Sequence, residues 1–89
     1  MPFSVNETYA KGDLMKAYVL INTTIGKEQE VVKQIRKFSG VTSAECTYGV
    51  YDMVAIVEGE TKDRLREIVG TIRKQKEVRS TLSMWVISP

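Results

Sequence analysis

The chain repeats itself. Ile35-Arg36-Lys37, then Val41 and Ser43, recur as Ile72-Arg73-Lys74, then Val78 and Ser80, while Glu30, Val31 and Val32 correspond to Glu67, Ile68 and Val69. Each copy reads as strand, helix, strand, and the two join through a tight connection at Tyr48-Gly49-Val50. Two βαβ halves in tandem have few compact arrangements, and the commonest is an α+β, ferredoxin-like βαββαβ two-layer sandwich. That arrangement has a four-stranded antiparallel sheet with both helices on one face, because right-handed crossovers send both helices to the same side.

The local patterns agree with this order. Ala17 to Thr23 is a short apolar run suited to a strand, and Val31, Val32, Ile35 and Phe38 recur at helical spacing, with Gly40 placed as a C-terminal cap. Val41 to Tyr48 is the most polar strand segment, and Tyr51 to Val57 is nearly continuous apolar sequence after Asp52. Thr61 is expected to cap a second helix whose buried stripe is Leu65, Ile68, Val69 and Ile72. Gly70 falls inside that helix at a cost of about 1 kcal/mol relative to alanine, which favours close helix-to-sheet packing over chance and leaves both readings open. Val78 to Ile87 forms the last strand. Residues 1–14 carry Pro2 and Gly12, show no period, and read as a flexible arm or leader before a single domain over 15–89.

The two least polar segments, Ala17 to Ile21 and Met53 to Val57, belong at the centre of the sheet, with the second and fourth strands at its edges. Apolar residues nevertheless occupy both alternating positions. Val19 and Ile21 oppose Tyr18 and Leu20, Met53 and Val57 oppose Val54 and Ile56, and Leu82 and Met84 oppose Trp85 and Ile87. The helices cover only one of these faces. A domain of 89 residues has a modest core, and Cys46 stands alone in a chain without histidine, so neither a disulfide nor a metal reinforces it. The pattern predicts a homodimer made sheet to sheet, with Cys46 serving as a small apolar strand residue.

Composition excludes several roles. Thirteen basic and eleven acidic residues leave a net charge of +2, with both signs spread along the two helical segments rather than gathered in one block, which is no nucleic-acid footprint. The third strand, Tyr51-Asp52-Met53-Val54-Ala55-Ile56-Val57, lacks the basic-glycine-aromatic signature of RNA-recognition sheets, so Tyr18, Tyr48, Tyr51 and Trp85 read as core or interface residues. No apolar run reaches the roughly 20 residues needed to span a bilayer, and no secretion signal is present. The expected location is the cytoplasm, and the glycosylation triplets at Asn6 and Asn22 are chance matches. Enzymatic motifs are absent apart from Asp52 beside Tyr51, which leaves a small dimeric α+β-barrel enzyme as an alternative. A pure oligomerisation module is a third reading. No cofactor is expected.

Gly49, Tyr51 and Asp52 before an apolar strand, followed by Val78, Thr81 and Ser83 at the opening of the last strand, resemble the effector-binding domain of the Lrp/AsnC (feast/famine) transcription regulators. The resemblance runs from about residue 15 to residue 88. It implies a non-enzymatic module that binds an amino acid or related metabolite where dimers meet in a ring-like assembly, commonly an octamer. The residues it assigns to the ligand are Tyr48, Gly49, Val50, Tyr51, Asp52, Thr81 and Ser83. Asp52 would accept the ammonium, and amides around Gly49 with the Thr81 and Ser83 hydroxyls would donate to the carboxylate. Residues 1–14 are too short for the helix-turn-helix that such regulators carry, so no direct DNA contact is expected, and transcription would be modulated through hetero-oligomers with full-length regulators.

Overall fold

A computed structural model of the chain describes residues 14–86. Most of the 1–14 arm and the last apolar strand residue expected from sequence, Ile87, lie outside the described residues. The elements are β1 (Met15–Thr23), α1 (Glu28–Ile35), β2 (Val41–Cys46), β3 (Met53–Gly59), α2 (Lys62–Arg73) and β4 (Val78–Trp85). They form one antiparallel-paired sheet in the order β2-β3-β1-β4, which is the ferredoxin-like βαββαβ sandwich. The two apolar strands are central and the polar β2 is at an edge, as the hydrophobic pattern requires.

The repeat is legible in the packing. Val31, Val32 and Ile35 of α1 and their counterparts Ile68, Val69 and Ile72 of α2 are all buried, against Ala17, Val19, Ile21, Met53, Ala55 and Val57 of the central strands. Thr61 caps α2 as its sequence position implies, its hydroxyl accepting from the Arg64 amide at 3.0 Å. Thr61→Ala should lower stability by about 1 kcal/mol, measured as a shift in the denaturation midpoint at constant slope.

Three local expectations are corrected. α1 ends at Ile35 with Arg36 as its C-cap, so Gly40 does not terminate the helix; Phe38 N donates to Ile35 O and Val41 N to Phe38 O, tight turns that keep Phe38 against the core. Gly40 instead occupies a turn at φ 94°. Gly70 has no atom within 4 Å of where a Cβ would stand, so close packing does not account for it. Cys46 is exposed at the end of β2, where its Sγ lies 3.8 Å from Glu28 O at the start of α1, so it is not a core residue.

The outer face of the sheet carries an apolar patch. Register places Tyr18 between Ile56 and Met84, and Leu20 between Val54 and Leu82, two rows that cross β3, β1 and β4. Within the chain Leu82 and Met84 remain about half exposed (48% and 49%), and the other four are intermediate. Lys16 and Asn22 flank the rows on β1, and the Lys16 ammonium lies 5.6 Å from the Tyr18 ring centroid. An apolar centre with a polar rim is the anatomy of a protein interface.

Candidate functional site

The sequence-assigned residues begin at the β2–β3 hairpin. Thr47 closes it by two bonds, its amide to Asp52 O and its hydroxyl to Tyr51 O, both at 2.9 Å. Closure leaves Tyr48 and Val50 projecting into solvent at the tip, while Gly49 takes φ 125°, a backbone state that excludes a Cβ in practice. Tyr48 is therefore no core residue. Tyr51 and Asp52 are half-buried where the hairpin meets the sheet.

Asp52 is tied to the end of β1. Its amide donates to Ile21 O at 3.0 Å, and its Oδ2 accepts from the Thr23 amide at 2.9 Å, with the Thr23 hydroxyl at 3.5 Å. The carboxylate thus takes over a bond that a strand carbonyl would otherwise supply to a buried residue. Among the described residues Oδ1 has no hydrogen-bond partner, so one oxygen anchors the group and the other is open. Among the described residues the Asp52 carboxylate makes no hydrogen bond to the neighbouring Tyr51.

Asn22 is the residue that sequence reasoning missed. Its Oδ1 accepts from the Asp52 amide at 3.2 Å, and its Nδ2 lies 3.5 Å from Ser80 Oγ. One side chain in the middle strand therefore bridges from the hairpin base to the opening of β4. A polar residue ending an apolar strand carries no periodic signal; only the cross-strand partnership Asn22–Ser80 reveals it.

Thr81 and Ser83 stand elsewhere. They pair with Ile21 and Val19, both wholly buried, so their side chains share the helix-facing side of β4. β1 separates β4 from β3, and two interstrand spacings place β4 roughly 10 Å from the Asp52 strand. The ammonium and carboxylate of one α-amino acid are far closer than that. Within one protomer the structure brings Asp52, Asn22 and Ser80 together and holds Thr81 and Ser83 apart from Asp52.

Surface cavities among the described residues lie at some distance from the hairpin tip. One, about 640 Å³, runs beside α1 and is lined by mixed charges including Glu30, Lys33, Lys37, Lys76 and Glu77. Another, about 480 Å³, lies under Trp85 at the opposite end of the sheet, with Lys62 and Arg66 at its wall. A smaller one, about 300 Å³, is lined by Arg73, Val78, Arg79, Ser80 and Thr81 and adjoins the Asn22 bridge. Among the described residues no cluster of three metal-ligating side chains occurs, and no helix is long and apolar enough to cross a membrane.

Comparison with known proteins supplies the family. The model of the Lrp/AsnC ligand binding domain matches residues 16–89. No curated protein matches the chain. Among solved structures, hypothetical protein PHS023 from Pyrococcus horikoshii is 34% identical with a TM-score of 0.77, covering 84% of this chain and 92% of its own. FFRP-DM1 is 35% identical at the same TM-score, over 82% of this chain and 99% of its own. A transcriptional regulator, NMB0573 from Neisseria meningitidis, solved as a complex with L-Met, has a TM-score of 0.75. It is only 15% identical, so it shares the fold alone, and 99% of this chain spans 57% of that regulator. A family match over nearly every described residue, on a βαββαβ frame with the hairpin and β4 segments where the motifs place them, makes this chain a member of the Lrp/AsnC ligand-binding domain family.

Proposed function

We propose that the chain is a non-enzymatic regulatory module that binds an amino acid or related small metabolite, assembles through its open sheet face, and acts on transcription in company with full-length Lrp/AsnC-type regulators. The observation that carries this reading is the family match over residues 16–89, and the fold shared with a regulator complexed to L-Met supports it. The residues of this chain suit the role. Asp52 is fixed by Thr23 and keeps one carboxylate oxygen for an ammonium, the strongest single contact a zwitterion can make to a neutral amide-lined site. Asn22 orients the neighbouring backbone, and Gly49 allows a ligand or a second subunit to approach the hairpin closely.

The separation of Asp52 from Thr81 and Ser83 gives assembly a part in binding. A ligand that uses both sets of groups takes them from different subunits, so occupancy and assembly are thermodynamically linked. Two dimers or more, up to the octamer typical of the family resemblance, provide such junctions. The sheet patch supplies the first contact. Burying its six apolar side chains at roughly 25 cal/mol per Å² contributes several kcal/mol per subunit, a large part of the stability of so small a domain.

Thermal denaturation across the proteinogenic amino acids, with mass measured in parallel, tests the proposal. At least one amino acid should raise the midpoint and change the assembly; an unaltered midpoint with every one of them contradicts it. Asp52→Asn is the sharper variant, because its remaining carbonyl oxygen still accepts from Thr23 N whereas Asp52→Ala would strand that buried amide at about 1–3 kcal/mol. The Asn variant should stay folded and bind the same amino acid roughly tenfold or more weakly, measured by calorimetric titration. Unchanged affinity would remove Asp52 from the site.

A further inference from the structure

The cavity at the opening of β4 has a composition that the family assignment does not explain. Its lining residues are two arginines, Arg73 and Arg79, two hydroxyl-bearing residues, Ser80 and Thr81, and the apolar Val78. Among the described residues no carboxylate lines it. The described ion pairs join Lys27 to Glu30, Arg64 to Glu67 and Arg66 to Asp63, so neither Arg73 nor Arg79 has an acidic partner among the described residues. Two positive charges at the wall of one small cavity make it attractive to an anion. Arg73 comes from the last turn of α2, where it also offsets the negative end of that helix.

Arg79 is brought there by a defect in the strand. Asn22 pairs with Ser80 and Thr23 with Val78, so Arg79 is the extra residue of a bulge and has no partner on β1. Bulges re-aim side chains at the edges of sheets. Here the bulge also lets adjacent residues serve one cavity from opposite faces: Ser80 follows Asn22 on the outer face and Thr81 follows Ile21 on the helix side. The edge strand places the cavity open to solvent, and its volume of about 300 Å³ is at the small end for a ligand site.

We infer that this cavity, Arg73-Arg79-Ser80-Thr81, is a carboxylate cradle that selects an acidic amino acid, aspartate or glutamate in chemical class, as the effector. The inference rests on the amino-acid-binding function proposed above and adds the side-chain class. Arginine forks take a carboxylate in bidentate fashion, and the Thr81 hydroxyl, on the helix side of the strand, is a further donor beside them. A neutral amide of the same shape presents one acceptor oxygen and two N–H donors, and those donors would face guanidinium N–H groups with nothing to accept them. Discrimination against the amide therefore comes from repulsion as well as lost attraction.

The test is calorimetric titration of the whole protein with L-aspartate, L-glutamate, L-asparagine and L-glutamine, with inorganic phosphate and potassium chloride at matched ionic strength. An acidic amino acid should bind roughly tenfold to a hundredfold more tightly than its amide, the range expected for a charged hydrogen-bonded contact. Arg79→Gln and Arg73→Gln, both at exposed positions, should each erase that preference; Arg79→Gln should leave the thermal midpoint of the free protein in place, and Arg73→Gln should lower it slightly through the helix-end interaction it removes. Arg79→Lys should restore part of it. Equal binding of acid and amide overturns the cradle while leaving amino-acid binding intact, and so does a preference that survives both Gln variants. A response to phosphate equal to that of the acids overturns it too, since the cavity would then be an unselective anion patch. Silence from the four amino acids and phosphate overturns the cradle alone when another amino acid binds, and both readings when none does.

Discussion

Leu20→Lys is expected to take the assembly apart into single subunits. Leu20 sits on the central strand β1 with Val54 and Leu82 on either side, the middle of the outer-face patch. Full burial of a leucine contributes about 1.5–3 kcal/mol, and in a two-fold interface each substitution counts twice. Loss of both contacts weakens the dimer by roughly 3–6 kcal/mol, which is a hundredfold or more in dissociation constant. An ammonium without a partner in that interface adds to the loss. The folded subunit tolerates the change, since Lys16 already occupies the same face of the same strand. Gln29→Lys, on the exposed side of α1, is the control and should sediment as the unsubstituted protein does. If Leu20→Lys sediments with the control, the sheet face is not the contact.

Gly40→Ala should be among the most damaging single-methyl additions in the chain. Gly40 has φ 94°, where an L side chain costs about 1–2 kcal/mol. A Cβ there would also overlap Ile68 Cδ1 and lie 3.3 Å from Glu58 O. Ile68 is 2% exposed and cannot swing away, so the overlap becomes core strain of about 1–3 kcal/mol. The two effects sum to roughly 2–5 kcal/mol against a total stability of about 5–15 kcal/mol for a small domain. Gly26→Ala separates the contributions. Gly26 has φ 85° and nothing within 4 Å of its Cβ position, so only the backbone cost applies. Denaturant unfolding at one protein concentration checks both, with Gly40→Ala expected to shift the midpoint roughly one and a half to four times as far. Equal shifts would mean that Ile68 yields without cost.

The architecture was legible because it is written twice. Each repeat carries its own helical stripe, and Val31, Val32 and Ile35 found the same burial as Ile68, Val69 and Ile72. The uncovered face could be read from alternation alone, since Tyr18, Leu20, Val54, Ile56, Leu82 and Met84 had no helix to meet. Punctuation by glycine was less informative. Gly40 marks a turn after the helix has already ended, and Gly70 has an open neighbourhood that packing does not explain.

The candidate site was half visible. Asp52 and the hairpin stand out as a polar break before an apolar strand, and the structure places them at the hairpin base. Within one protomer Thr81 and Ser83 stand apart from Asp52, because the strand order inserts β1 between β3 and β4. Asn22 and Arg79 were invisible for a different reason. Their roles depend on who pairs with whom across strands, and the bulge that frees Arg79 is a register shift with no mark in the hydrophobic pattern.

Sedimentation equilibrium of the unsubstituted protein at micromolar concentration tests most directly the claim that a second copy covers the sheet. The expected result is a mass at least twice that of the 10.1 kDa chain, with no significant fraction of free subunit. A single species at 10.1 kDa would leave the patch open to water and contradict the account.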